Sequence, residues 1–143
     1  MHIHLIFSTK HREPWIQDSF REPLHRYMTK ALHTSGCQCV FINSVEDHVH
    51  VLFDLGRTVS LSATVAELKR SSSKWIKLQS AHTGVFAWQV GYGAFAISIS
   101  DVESVKNYIA GQKEHHTTQS FEDEYVRFLK QNEMQYDDKY LWD

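Results

Sequence analysis

Two histidines separated by one residue, His48 and His50, are the side chains in this sequence best suited to bind a divalent metal ion. They lie in a hydrophobic run over residues 45–53 whose composition predicts a β-strand. Because side chains alternate across a strand, both imidazoles and the carboxylate of Glu46 are expected on one face. Two neighbouring imidazoles on a rigid element can hold a divalent metal. The pair could also arise by chance, since the chain contains 10 histidines.

A tyrosine and a glutamine four residues apart, Tyr108 and Gln112, form the second group with chemical potential. The sequence predicts a helix over 101–115, on which residues four apart project together. A tyrosine oxygen can attack phosphorus when a bound Mg²⁺ or Mn²⁺ polarises the phosphate, and the phosphotyrosine formed conserves the energy of the phosphodiester, so no nucleotide cofactor is expected. Gln112 and Glu46 are rival third ligands for the metal. The competing interpretation is that Tyr108 only packs against the core.

The predicted elements follow the order βαββαβ, which is typical of an α+β, ferredoxin-like or RRM-like fold with an antiparallel sheet and helices on one face. A C-terminal helix bearing Tyr108 follows. The opposite face of the sheet is expected to be free and to carry the histidine pair, and Ser100 with Glu103 predicts a capping box at the start of the last helix. The predicted strands cover 2–9, 37–44, 48–55 and 96–99, and the predicted helices cover 20–32, 61–76, 101–115 and 120–132.

Composition and charge favour a folded cytoplasmic protein. The 143 residues suit a single domain over 1–143, with 42% hydrophobic residues. No apolar run approaches the roughly 20 residues of a membrane span, and no signal-peptide pattern is present. The net charge is +2 over residues 1–119 and −4 over residues 120–143, which places an acidic helix and tail from about residue 117. A second histidine pair, His2 and His4, is assigned to the structure of the first strand.

The motifs together resemble one family, the single-tyrosine HUH transposases of bacterial insertion sequences, which move DNA through single-stranded intermediates. The resemblance covers nearly the whole chain. A histidine pair followed about sixty residues later by a Tyr-x-x-x-Gln helix is its most specific part. The matching blocks are 4–12, 47–52, 68–74, 88–95, 105–112, 114–116 and 140–143.

The resemblance implies a role for each residue of the site. His48, His50 and Gln112 would bind the metal, and Tyr108 would form a 5′-phosphotyrosine with single-stranded DNA, leaving a free 3′-OH. Such enzymes are typically homodimers that recognise hairpins near the ends of the element. By the same resemblance, five basic residues are candidate DNA contacts: Lys10, Arg12, Lys69, Arg70 and Lys74.

Three other functions remain open at this point. A host-recruited relative could bind hairpin DNA or RNA with little transposition, since one fold serves many nucleic-acid binders. A metal-dependent hydrolase would leave Tyr108 structural. An interaction module would leave the histidines unused. Gly111, inside the predicted nucleophile helix, could mark either a flexible point or inactivating drift.

Overall fold

The computed structural model describes residues 1–111 and Arg127, and these residues build one four-stranded sheet with helices on both of its faces. Short 3₁₀ turns follow β1, α2 and β4. In chain order the strands and helices are β1 (His2–Ser8), α1 (Asp18–Thr34), β2 (Gln38–Ser44), β3 (His48–Asp54), α2 (Leu61–Lys77), β4 (Gly93–Ile97) and α3 (Val102–Ala110).

The sheet is antiparallel throughout, with the strand order β2-β3-β1-β4. This order and the βαββαβ sequence of elements confirm the predicted α+β class. The strands predicted over 37–44 and 48–55 are joined by a tight hairpin, because β2 ends at Ser44 and β3 begins at His48. Gly36 follows the end of α1 at φ +88°, a backbone conformation that favours glycine.

One face of the sheet forms the hydrophobic core with α1 and α2. Alternate residues of β1 and β3 share this face because they are direct cross-strand partners. Helix α1 contributes a buried stripe at four-residue spacing, which is the period of one helix face. Each fully buried side chain of this kind contributes roughly 1.5–3 kcal/mol. The central members of the core are Leu5, Phe7, Leu24, Met28, Val49, Val51, Phe53 and Leu68.

The other face of the sheet carries the histidines and is covered, so the expectation of a free face is wrong. Helix α3 returns from β4 and lies against β2 and β3. Its apolar side buries Ile109. The side chains of His48 and His50 are both 0% exposed. An amphipathic helix must bury its apolar stripe, and this face of the sheet is where α3 does so.

The start of α3 also differs from its prediction. A 3₁₀ turn over Ile99–Asp101 precedes the helix, so Glu103 is the second helical residue instead of the third after a cap. The predicted capping box from Ser100 to Glu103 is therefore wrong. Ser98 instead donates from its hydroxyl to the carboxylate of Asp101, over 2.8 Å.

The predictions for the C-terminal part fall mostly outside the described residues. These are the extension of α3 towards residue 115, the helix over 120–132 and the acidic tail from about 117. The single domain over 1–143 stays a prediction for the same reason. Among the helices that the structure describes, none is long and apolar enough to cross a membrane.

Candidate active site

The predicted histidine pair lies in the middle of the sheet, on β3. His48 is the cross-strand partner of Ser8, and His50 is the partner of Ile6. The two rings lie on the same face, as the strand alternation predicted, with centres 5.3 Å apart and planes at 69°. Both strands next to the pair are hydrogen-bonded along their length, so the backbone fixes the separation of the two imidazoles.

Asp47 fixes the orientation of the His48 ring. Its carboxylate oxygen Oδ1 lies 2.8 Å from Nδ1 of His48. A carboxylate only accepts, so Nδ1 must carry the proton of this hydrogen bond. The hairpin turn that contains Asp47 is itself fixed to β1, because the backbone carbonyl of Asp47 accepts from the backbone N–H of Thr9 over 2.9 Å. Sequence reasoning placed Asp47 in the hairpin and missed this role, although its position directly before His48 was a usable signal.

His4 makes the equivalent contact to His50. Its Nε2 lies 2.8 Å from Nδ1 of His50, and its side chain is 1% exposed. The ring centres are 5.1 Å apart with planes 28° apart. That separation matches the hydrogen bond plus the distance from each ring centre to its nitrogen, so the rings meet edge to edge. The sequence assigned His4 to the structure of β1, and only the pairing of β1 with β3 brings it to the site.

Tyr108 of α3 lies beside His50, as the predicted site requires. The centre of its ring is 6.3 Å from that of His50, at an interplanar angle of 74°. Its hydroxyl accepts from Nη2 of Arg127 over 3.0 Å, and the guanidinium carbon lies 5.5 Å from the centre of the Tyr108 ring. Gln112 falls outside the described residues, so its role as a metal ligand stays a prediction.

Asn43 of β2 holds the C-terminal end of α3. Its side-chain Nδ2 donates to the carbonyl of Ile109 over 2.8 Å and to that of Ala110 over 3.4 Å. These are two of the last four carbonyls of α3, which lack the regular N–H partner that carbonyls inside a helix have. A register shift in β2 between Cys39 and Phe41 makes Asn43 the direct partner of His50, on the histidine face. Such a shift is invisible in the sequence pattern, so Asn43 was missed.

Glu46 precedes the strand on which the sequence placed it. The strand alternation that put it beside the histidines does not reach it, because β3 begins only at His48 and Glu46 belongs to the preceding turn. Its backbone carbonyl accepts from the N–H of Ile16 over 2.9 Å. Its role as a metal ligand stays a prediction, but the argument that it shares a strand face with the histidines no longer supports it.

The donor chemistry of the histidine pair suits a divalent cation. Nδ1 of each ring faces Asp47 or His4, so Nε2 is the nitrogen that would face a metal. A hydrogen-bonded acceptor behind a ligand imidazole is the usual arrangement in metal sites. Within residues 1–111 and Arg127, no three His, Cys, Asp or Glu side chains form a group able to hold a metal. The pair therefore needs another ligand, the role predicted for Gln112.

Gln89 borders this site and was also missed. Its side-chain Oε1 accepts from the backbone N–H of Ser8 over 2.8 Å, and its backbone N–H donates to the backbone carbonyl of Ser8 over 2.9 Å. Ser8 is the strand partner of His48. The amide Nε2 of Gln89 is buried and has no hydrogen-bond partner in the described part of the chain.

The predicted DNA contacts lie in the turn after β1 and on α2, and both of these elements contact the loop over residues 87–91. Lys10 and Arg12 lie in the turn after β1, where His11 and Arg12 both have positive φ, +57° and +56°. Two successive non-glycine residues in this region are uncommon and indicate strain. The backbone N–H of Lys10 donates to the carbonyl of Ala87 over 2.9 Å. The loop after Ala87 is the one that Lys69 contacts.

The side chain of Lys69, on α2, forms hydrogen bonds to that loop. Its ammonium donates to the carbonyls of Gln89, Val90 and Gly91 over 2.9, 3.3 and 2.6 Å. Burial lowers the pKa of Lys69 to about 8. The ammonium also lies 5.1 Å from the centre of the Phe7 ring. Lys69 is thus placed as a structural contact of the loop.

The other two predicted DNA contacts on α2, Arg70 and Lys74, are exposed. Arg70 forms a double contact with the carboxylate of Glu67, over 2.7 and 3.0 Å, and this carboxylate raises its pKa. Lys74 lies one turn further along the same helix. The structure leaves the DNA-binding role of all five basic residues as a prediction.

Comparisons with known proteins agree on the family and the fold. A family model described as IS200-like transposase matches residues 1–112. A candidate transposase from Deinococcus radiodurans R1 has a similar structure, with 23% identity and a TM-score of 0.61, covering 78% of this chain and 90% of that one. A REP-associated tyrosine transposase bound to a REP hairpin has 15% identity and a TM-score of 0.63, covering 80% and 67%. No curated protein matches this chain.

Proposed function

Because this chain belongs to the family of IS200-like transposases, we propose that it cuts and rejoins single-stranded DNA at hairpin-bearing ends of a mobile element, with Tyr108 as the nucleophile. The observation that carries the proposal is the position of Tyr108 beside the buried pair His48 and His50. A phenol on a helix and two oriented imidazoles on a strand are the groups that metal-assisted phosphoryl transfer to tyrosine needs.

Tyr108 supplies the attacking oxygen. Its Oη gives its proton to solvent and forms a bond to phosphorus, the bond from phosphorus to the 3′-oxygen breaks, and that oxygen takes a proton from solvent to become a free 3′-OH. The DNA is then joined to the protein through a 5′-phosphotyrosine. A guanidinium is a donor only, so Arg127 is not the base. Its guanidinium, 3.0 Å from Oη, attracts the negative charge that develops there.

The cofactor we propose is Mg²⁺ or Mn²⁺, held by His48, His50 and Gln112, with Glu46 as the weaker alternative to Gln112. A bound divalent cation would polarise the phosphate and offset the developing charge. The contributions of Asp47 and His4 are to hold the two imidazoles in place. Asn43 keeps the C-terminal end of α3, and with it Tyr108, against the sheet.

We also propose a substrate and an oligomeric state. The neighbour bound to a REP hairpin supports hairpin DNA as the ligand. Lys10, Arg12, Arg70 and Lys74 are the proposed contacts to phosphates, which basic residues provide in most nucleic-acid complexes. Lys69, the fifth predicted contact, already donates to three loop carbonyls and is left out of this proposal. We further propose a homodimer that acts on DNA in the bacterial cytoplasm.

A denaturing gel tests the proposal directly. The full chain is incubated with Mn²⁺ and labelled single-stranded DNA that contains the hairpins flanking its own gene. We expect a slowly migrating covalent band with the wild-type chain and with Tyr92→Phe, a control at an exposed tyrosine. The band should be absent with Tyr108→Phe and after removal of metal with EDTA.

The other outcomes each point to a different function. Strand cleavage that survives Tyr108→Phe, without a covalent band, would indicate a hydrolase. Hairpin binding with neither cleavage nor a covalent band would indicate a recruited DNA-binding relative.

A further inference from the structure

His4 and His50 form a buried imidazole–imidazole hydrogen bond with two alternative proton positions. The atoms that meet are Nε2 of His4 and Nδ1 of His50, 2.8 Å apart. Both side chains are at most 1% exposed, and the rings meet edge to edge. A neutral imidazole carries one proton, so one ring must donate and the other must accept.

The two proton positions have opposite consequences for His50. If Nδ1 of His50 carries the proton, its Nε2 keeps the lone pair that a metal requires. If Nε2 of His4 carries the proton, then Nδ1 of His50 accepts, and the proton of His50 moves to Nε2 and blocks it. The identity of the donor therefore decides whether His50 can be a ligand.

The neighbouring pair shows the arrangement that a ligand needs. Asp47 can only accept, so it leaves His48 with the proton on Nδ1 and the lone pair on Nε2. His48 and His50 are two residues apart on one strand, with ring centres 5.3 Å apart. Because Nδ1 of each ring faces Asp47 or His4, a metal shared by the two rings can be bound only at Nε2 of both.

We propose that His4 is a positioning residue that accepts the Nδ1 proton of His50 at its own Nε2 and so keeps Nε2 of His50 as a metal-binding nitrogen. The proposal rests on the metal-binding role proposed above for His48 and His50. It makes the first strand part of the site, although the sequence assigned its histidines to structure alone. In this arrangement the proton of His4 lies on Nδ1.

Nuclear magnetic resonance tests the tautomer without any metal. Long-range ¹H–¹⁵N correlations of the metal-free, ¹⁵N-labelled chain distinguish a protonated from an unprotonated ring nitrogen. We expect protonated Nδ1 and unprotonated Nε2 in both His48 and His50. A His50 signal with its proton on Nε2 would overturn the proposal, whatever the fate of the proposed function.

Two substitutions of His4 separate its role as an acceptor from simple packing. His4→Gln keeps an oxygen that can accept, whereas His4→Leu fills similar space without one. We expect the dissociation constant for Mn²⁺, measured by calorimetry, to rise about tenfold or more in His4→Leu and by less than about threefold in His4→Gln. The same exchanges at His2, two residues earlier on β1, are the matched controls and should leave the dissociation constant unchanged.

The outcomes distinguish this proposal from the one on which it rests. Equal Mn²⁺ affinity of His4→Leu and the wild-type chain would refute the role of His4. If the wild-type chain fails to bind Mn²⁺ while His50 carries its proton on Nδ1, the metal-binding role of the site falls and the tautomer assignment stands. Melting curves of each variant identify any that does not fold, and the spectrum of the wild-type chain still decides the tautomer.

Discussion

Replacing Asp47 by asparagine changes one hydrogen bond and leaves the turn around it in place. The backbone carbonyl of Asp47, not its side chain, accepts from Thr9, so the hairpin keeps that anchor in the variant. The carboxylate lies 2.8 Å from Nδ1 of His48, and its side chain is 15% exposed. Asparagine offers either an oxygen or an NH₂ group to the ring. When it presents NH₂, the proton of His48 moves to Nε2 and the metal-binding lone pair is lost.

The size of the effect follows from the role of a partner behind a metal ligand. Loss of such a partner typically lowers metal affinity about 10- to 100-fold, which corresponds to about 1.4–2.7 kcal/mol. The carboxylate also makes a charge-assisted hydrogen bond, roughly twice as strong as the neutral bond that asparagine can offer. We therefore expect Asp47→Asn to raise the dissociation constant for Mn²⁺ by at least about tenfold and to slow formation of the covalent DNA complex.

Calorimetric titration with Mn²⁺ measures the dissociation constant, and the denaturing gel measures the covalent complex. The matched control is Asp54→Asn, at the far end of the same strand. Asp54 bonds the amino group of Met1 over 2.8 Å, and this contact lowers the pKa of its carboxyl. The reasoning is refuted if the two variants bind Mn²⁺ equally well, because His48 would then need no carboxylate to stay in its ligand tautomer.

Three further predictions concern other contacts of the fold. Asn43→Ala removes the hydrogen bond to the end of α3, which contributes about 1 kcal/mol. It should slow formation of the covalent complex about 3- to 10-fold and leave the affinity for Mn²⁺ unchanged. Equal rates of complex formation on the gel would contradict this. Burial and the Arg21 charge lower the pKa of His25 from 6.5 to about 4, so the unfolded chain takes up a proton first and the free energy of unfolding should fall as the pH drops from about 6.5 to 4. Urea titrations should show about 2 kcal/mol of this loss after allowance for partial exposure, and none of it in His25→Gln. Lys69→Met removes three hydrogen bonds to the loop and should destabilise the fold by about 1–3 kcal/mol and speed proteolysis within residues 89–91, whereas Lys74→Met should do neither.

The sequence predicted the order of elements and the shared face of the histidine pair because these depend on local patterns. Strand alternation correctly put His48 and His50 on one face, and the helical period correctly gave α3 an apolar side with Tyr108 beside it. Both patterns act within a few residues of the chain, so a single sequence carries them.

The errors arose where distant segments meet. The contact of His4 with His50 depends on the pairing of β1 with β3, and that of Asn43 with α3 depends on an irregularity in β2. The sequence pattern shows neither register. Glu46 was placed beside the histidines because the apolar run continues through the turn and strand alternation was extended back past the start of β3 at His48.

The turn between β2 and β3 should be unable to change length, unlike most surface connections. Loops usually tolerate insertions because few contacts cross them. Here the carbonyls of Glu46 and Asp47 accept from Ile16 and Thr9, and Val45 donates to His48. One added residue would pull the carboxylate of Asp47 out of register with its imidazole while the sheet itself could still form. Among related chains, this turn should therefore vary in composition but keep one length.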